Sequence, residues 1–192
     1  MSQRRYPKYQ FHVLPFSQSA VKRYDEPHGS LAAAVVTNDS PYTRLSSSGG
    51  GNPPGFEQGE DNQYRITQFL LEYAWQKQGW SIQGEAHYKD IDDRKSGENT
   101  ELFGAYLQAG LFPSSLADNW PEPLEFAVRA AFVDPGRGQG DDNTELALAA
   151  NWFFNGHRNK LTADIGRYEI DNEITGMTES ENRLRVQYDI SF

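Results

Sequence analysis

The polar residues of this chain that could do chemistry recur at alternate positions. Glu85 precedes His87, Glu125 precedes Arg129, Lys160 precedes Asp164, and Arg183, Arg185, Gln187 and Asp189 follow one another. On an extended chain such residues share one face, so Glu85 and His87 have the makings of an acid–base pair. Nothing in the sequence completes a catalytic site around them. His12, His28, His87 and His157 lack metal-ligand spacing, and no nucleophile-elbow motif surrounds any serine. "GRGQGDDN" is glycine-rich but opens no helix, which argues against a phosphate cradle. "DIDDRKSGEN" lacks the full calcium-loop spacing and reads as a solvated acidic loop. The expectation is a protein that is not an enzyme and carries no cofactor or metal.

Composition narrows the class further. The chain has 192 residues, enough for one domain, and no cysteine. A formal charge of −9 repels phosphate backbones, which argues against nucleic acid as a partner. Aromatics are plentiful, with 11 Phe, 10 Tyr and 4 Trp. There is no apolar run long enough for a transmembrane helix, a test to which transmembrane strands are blind. "MSQRRYPKYQFHVLPF" has no apolar signal-peptide core, so no signal peptide is expected in this sequence.

The elements that position the polar residues are strands. "TQFLLEYAW", "WSIQGEAHYK", "LFGAYLQAGLF", "LEFAVRAAFV", "ELALAANWFF", "NKLTADIGRY" and "RLRVQYDISF" all alternate apolar and polar residues. "SLAAAVVT" and "YQFHVLPF" are weaker strands, giving about eight or nine in all. Tight connections sit at residues 76–79 and 155–158, the latter with the Asn-Gly hairpin signal. Longer polar loops are expected at residues 38–63, 90–100, 134–143 and 171–182, the first long and mobile.

Two architectures fit this alternation. A soluble sandwich or small closed ligand-binding barrel would turn the apolar faces inward. A transmembrane barrel would turn them to lipid. Trp75, Trp80, Trp152 and Phe154 fall beside the short turns, and Tyr88, Phe132 and Tyr168 beside the long loops. Aliphatic and small residues lie between them. Two aromatic girdles around an aliphatic band match the bilayer interfaces, so the all-β antiparallel transmembrane barrel is the reading adopted. Its pore-lining residues are then Glu72, Gln83, Glu85, His87, Gln108, Glu125, Arg129, Lys160, Asp164, Arg185, Gln187 and Asp189. Charges in such a lumen mostly pair across strands.

The chain ends in Tyr188, Ile190 and Phe192, alternate apolar residues closing on a terminal aromatic. This resembles the signal read by the outer-membrane barrel-insertion machinery. The final strand is expected to be held by pairing with the first.

The stretches "GAYLQAGLF", "PLEFAVRAAFVDP", "ELALAANWFFNGHRNKLTADIGRY" and "RLRVQYDISF", in that order, resemble the phosphate-selective porin O and P family of Gram-negative bacteria. The resemblance covers the last half of the chain. It implies a sixteen-stranded barrel, trimeric when intact, set in outer-membrane lipid and lipopolysaccharide and passing small anionic solutes. Sixteen strands at about 10 residues each plus loops exceed this length, so the resemblance makes the chain the C-terminal half of a barrel, with a closed eight-stranded barrel as the alternative. The mixed charge of the polar face departs from the cationic ladder that phosphate selectivity would need.

Overall fold

The computed structural model describes residues 20–43, 56–136, 141–172 and 175–191. They form one 8-stranded sheet whose strands lie in chain order. The strands are β1 His28–Ser40, β2 Tyr64–Lys77, β3 Trp80–Asp93, β4 Glu98–Leu111, β5 Leu124–Asp134, β6 Asp142–Phe153, β7 Asn159–Asp171 and β8 Thr178–Ile190. Every neighbouring pair is antiparallel. The expected strand at residues 9–16, Phe192, His12 and much of the 38–63 connection lie outside the described residues.

The alternation sets the register. Directly opposed residues point from the same face of a sheet. Val35 opposes Phe69, Leu71 opposes Ala86, Gly84 opposes Leu107 and Ala109 opposes Val128. Val128 then opposes Leu148, Leu148 opposes Ile165 and Ile165 opposes Leu184. One apolar band thus crosses all the strands without a slip. A one-residue shift anywhere would break it, because side chains alternate with a period of two.

Among the described residues the sheet is not closed into a barrel. Among them β1 pairs with β2 alone and β8 with β7 alone, so β8 is not held by β1 as the sequence suggested. Its end is tied instead by the Ser191 amide, which donates to the Arg158 carbonyl at 2.7 Å.

The asymmetry between short turns and long loops is weaker than the sequence implied. β3 and β4 continue to Asp93 and from Glu98, so the expected loop at 90–100 shrinks to residues 94–97. Likewise β7 and β8 leave only residues 172–177 between them. Hairpin hydrogen bonds carry the ladder past the point where the apolar alternation stops, because backbone pairing needs no apolar side chain. At the other end, the β2–β3 hairpin turns through Gln78 (φ 46) and Gly79 (φ 82), the left-handed pair of a type I′ loop.

The ends of the polar face carry two small packing units. At the loop end Phe56, Tyr64, Ile66 and Ile91 are buried together against Leu102. Lys89 reaches the same region and donates to the carbonyl of buried Thr43. At the turn end, residues 20–27 form a strap ahead of β1. A Cβ on Gly156 would lie 3.9 Å from Val21, and Arg23 donates to Ser114 at 2.8 Å and the Glu122 carbonyl at 2.7 Å. The Tyr24 carbonyl accepts from the Gln78 amide at 2.8 Å. The strap therefore passes from the β6–β7 connection, by the β4–β5 connection, to the β2–β3 turn before β1 begins.

Candidate functional site

The two faces of the sheet differ in chemistry and in shelter. Leu107 and Leu148, in the middle of the apolar band, are 57% and 58% exposed. On the opposite face Glu125 is 1% and Asp164 6% exposed. Large aliphatics open to the surroundings with carboxylates enclosed reverse the usual distribution of a protein in water. They form a contiguous apolar surface rather than scattered residues.

Aromatic side chains mark both rims of the band. At the turn end Trp80 opposes Leu111, and Trp152 opposes Leu124 and Leu161. Trp75 opposes Ile82 there, Phe154 meets Tyr188 at 6.3 Å, and Trp120 meets Phe126 edge-on at 6.0 Å. At the loop end Phe69 meets Tyr88 at 6.2 Å and Phe103 meets Phe132 at 6.3 Å. Tyr168 is a correction. Expected in the loop-end rim, it points from the polar face, because it is an odd number of residues from Ile165. Its hydroxyl donates to Glu145 at 3.3 Å, and Arg183 stacks on its ring at 4.4 Å while donating to the hydroxyl.

All the residues read as pore-lining lie on the polar face. Glu72 stands on β2, directly opposite Glu85 on β3. His87 contacts the Glu85 carboxylate, whose other oxygen accepts from Tyr106 at 3.3 Å. Gln83 donates to the same tyrosine hydroxyl at 2.9 Å. Gln108 opposes Arg129, whose guanidinium lies 4.2 Å from the Tyr106 ring centroid and 3.7 Å from Glu145. Lys160 lies 3.8 Å from Asp189, to which Gln187 donates at 2.7 Å. Arg185 donates to the buried Asp164 at 2.8 Å. The network runs from β3 to β8.

Glu125 is the most enclosed of these groups. Asn151 donates to it at 2.9 Å and in turn accepts from Thr162 at 2.7 Å. A Cβ on Gly110 would come within 2.6 Å of its carboxylate and 2.8 Å of the Ser81 hydroxyl. Gly110 is therefore the gap in β4 that seats the carboxylate against the sheet. Around Glu125, Arg129, Lys160, Asp164, Arg185 and Asp189 the face forms a cleft of about 260 Å³.

Chemically this face pairs its charges across neighbouring strands. Arg129, Lys160 and Arg185 each sit beside a carboxylate, so no cationic ladder forms. Among the described residues no group of three or more His, Asp or Glu is placed to hold a metal. The hub residues Tyr106 and Glu145 fall on this face in the sequence alternation but are not among the pore-lining residues read from it, and Tyr168 is read there as a rim aromatic. Period-two spacing from Asp164 places Tyr168 on the polar face as well. Comparison with protein-family models finds no match to the chain, and comparisons with curated proteins and with solved structures find none either.

Proposed function

We propose that this chain forms wall of an outer-membrane porin barrel, with the apolar face against lipid and the polar face lining a water-filled passage for small solutes. The observation that carries this reading is the unbroken apolar band on the exposed face of all the strands, rimmed by aromatics at both ends. Aromatic rings favour the membrane–water interfaces, and aliphatic side chains favour the hydrocarbon between them. Strand length agrees, since the shortest strand has 11 residues and a tilted spanning strand needs about 9–11.

Outer-membrane lipid and lipopolysaccharide are the surroundings this reading implies, with the barrel-insertion machinery as assembly partner. A trimer of intact barrels and phosphate among the solutes come from the resemblance to the phosphate-selective porins alone. The ion-paired polar face favours a passage of low selectivity instead. A soluble ligand-binding barrel has less support, because it would cover its apolar face and leave Glu125 and Asp164 in water.

The test is conductance. The purified chain, refolded in detergent and added to a planar bilayer, should give stepwise increments of an open pore. Partitioning into vesicles without any conductance would leave a membrane sheet and remove the porin.

A further inference from the structure

Among the described residues the two outer strands of the sheet are matched to each other yet do not meet within one chain. Edge strands of monomeric proteins are commonly blunted by charges, bulges or proline. β1 has none of these along residues 29–38, and its pairing with β2 runs without a bulge. Its polar-side positions Ser30, Ala32, Ala34 and Val36 are small or uncharged. The corresponding positions of β8 are the long Arg183, Arg185 and Gln187 and the shorter Asp189. Long side chains laid over small ones fill an interface without clash or like-charge contact. On the apolar side Leu31 is 71% exposed on β1 and Leu184 is 75% exposed on β8.

Direction and connectivity narrow the occupant. Consecutive strands alternate, so in an 8-stranded sheet β8 runs opposite to β1. Two copies related by a twofold axis along the strands would therefore place β8 of each antiparallel to β1 of the other. The strap before β1 lies across the turn end toward Gly156, on the side of β6 and β7. Over residues 20–27 the chain entering β1 thus does not arrive from a hairpin on its outer edge.

We infer that β1 of one copy pairs with β8 of a second, so that two seams close one barrel with twice the strands of a single sheet and each copy supplies half of the passage. The apolar band fixes the parity of the seam, and within it we assign the register with Val35 opposite Leu184, Ala33 opposite Val186 and Leu31 opposite Tyr188. Ala34 then lies opposite Arg185 on the lumen side. This inference rests on the reading that the apolar face meets lipid.

Cysteine pairing tests the seam cleanly, because the chain has no cysteine of its own. A V35C chain and an L184C chain are refolded together into phosphatidylcholine vesicles, floated on a density gradient and oxidised with copper–phenanthroline. The seam predicts a reducible band at twice the 21.7 kDa of the chain. It predicts loss of that band when V35C is paired with R185C, whose side chain leaves the other face. Chains that float with the vesicles but give no double-mass band overturn the seam and leave the membrane reading standing. A V35C/L184C chain that oxidises to a monomer-sized, thiol-free product shows self-closure and also overturns it. Chains that do not float remove the membrane reading and the seam together.

Discussion

The guanidinium of Arg129, on β5, lies 4.2 Å from the centroid of the Tyr106 ring on β4, and the hydroxyl of that ring accepts from Gln83 at 2.9 Å on β3. One side chain thus joins the ion pairs of β5 and β6 to the polar groups of β3. Tyr106→Phe keeps the stack and removes the hydroxyl, so it should cost about 1 kcal/mol of unfolding free energy. Tyr106→Ala should cost a further ~0.5–1 kcal/mol or more, through loss of the cation–π contact and of ring packing. Urea unfolding of the refolded chain measures both. Equal costs would show that the stack adds nothing.

Selectivity should be weak. Arg129, Lys160 and Arg185 are matched by Glu145, Asp189 and Asp164, and Glu72 stands directly opposite Glu85. Free lumen charge acts on passing ions only within a Debye length of about 8–10 Å near physiological salt. Reversal potentials across a salt gradient should therefore lie near zero for the unaltered chain. Glu72→Gln with Glu85→Gln should move them toward anions, and Arg185→Ala toward cations, since it leaves the Asp164 charge uncompensated. A strong anion preference before any substitution would restore the cationic-lumen account.

Glu60 and Lys95 bind the β1–β2 connection to the β3–β4 turn, with the ammonium 2.7 Å from the carboxylate. The hydrogen bond and charge of Lys95 hold the Glu60 carboxyl below its ordinary value, and Glu60 raises Lys95. A depressed carboxylate adds stability above its unfolded pKa and loses it as pH falls through the folded value. The tie should therefore hold at neutral pH and release in acid. Lys95→Gln should return the Glu60 titration, followed by carbon NMR, to the usual carboxylate range. An unchanged midpoint would mean the pair does not persist in solution.

Much of the sheet was legible because one rule, alternation, governs strand, face and register together. Every expected strand within the described residues is present, and Leu107, Val128 and Leu148 share a face as the pattern requires. The polar extensions of β3, β4, β7 and β8 were not legible, since a ladder held by backbone bonds leaves no apolar signature. Tyr168 was misplaced because its type, an aromatic near a loop, was weighed above its parity. The openness of the sheet agrees with the length argument that makes the chain half of a barrel, and could not be read from the alternation itself. Alternation records which face a residue takes, never which strand lies beside an edge.

The C-terminal residue gives a kinetic prediction. Tyr188 and Ile190 point from the apolar face of β8, opposite Leu161 and Asn159, and Phe192 continues their spacing. Deleting Phe192 should slow membrane insertion in cells, seen as loss of heat-modifiable migration after induction. Insertion at the original rate would mean that Phe192 carries no assembly signal.

Leu107 and Gln108 test the central claim most directly, because they are adjacent on β4 and leave opposite faces. Arginine at the middle of a lipid-facing band should cost about 2–4 kcal/mol, and on a wet lumen face far less. The measurement is unfolding free energy of Leu107→Arg and Gln108→Arg in phospholipid vesicles. The account predicts a large loss for Leu107→Arg and a small one for Gln108→Arg. Equal losses, or the larger loss at Gln108, would contradict a lipid-facing apolar band.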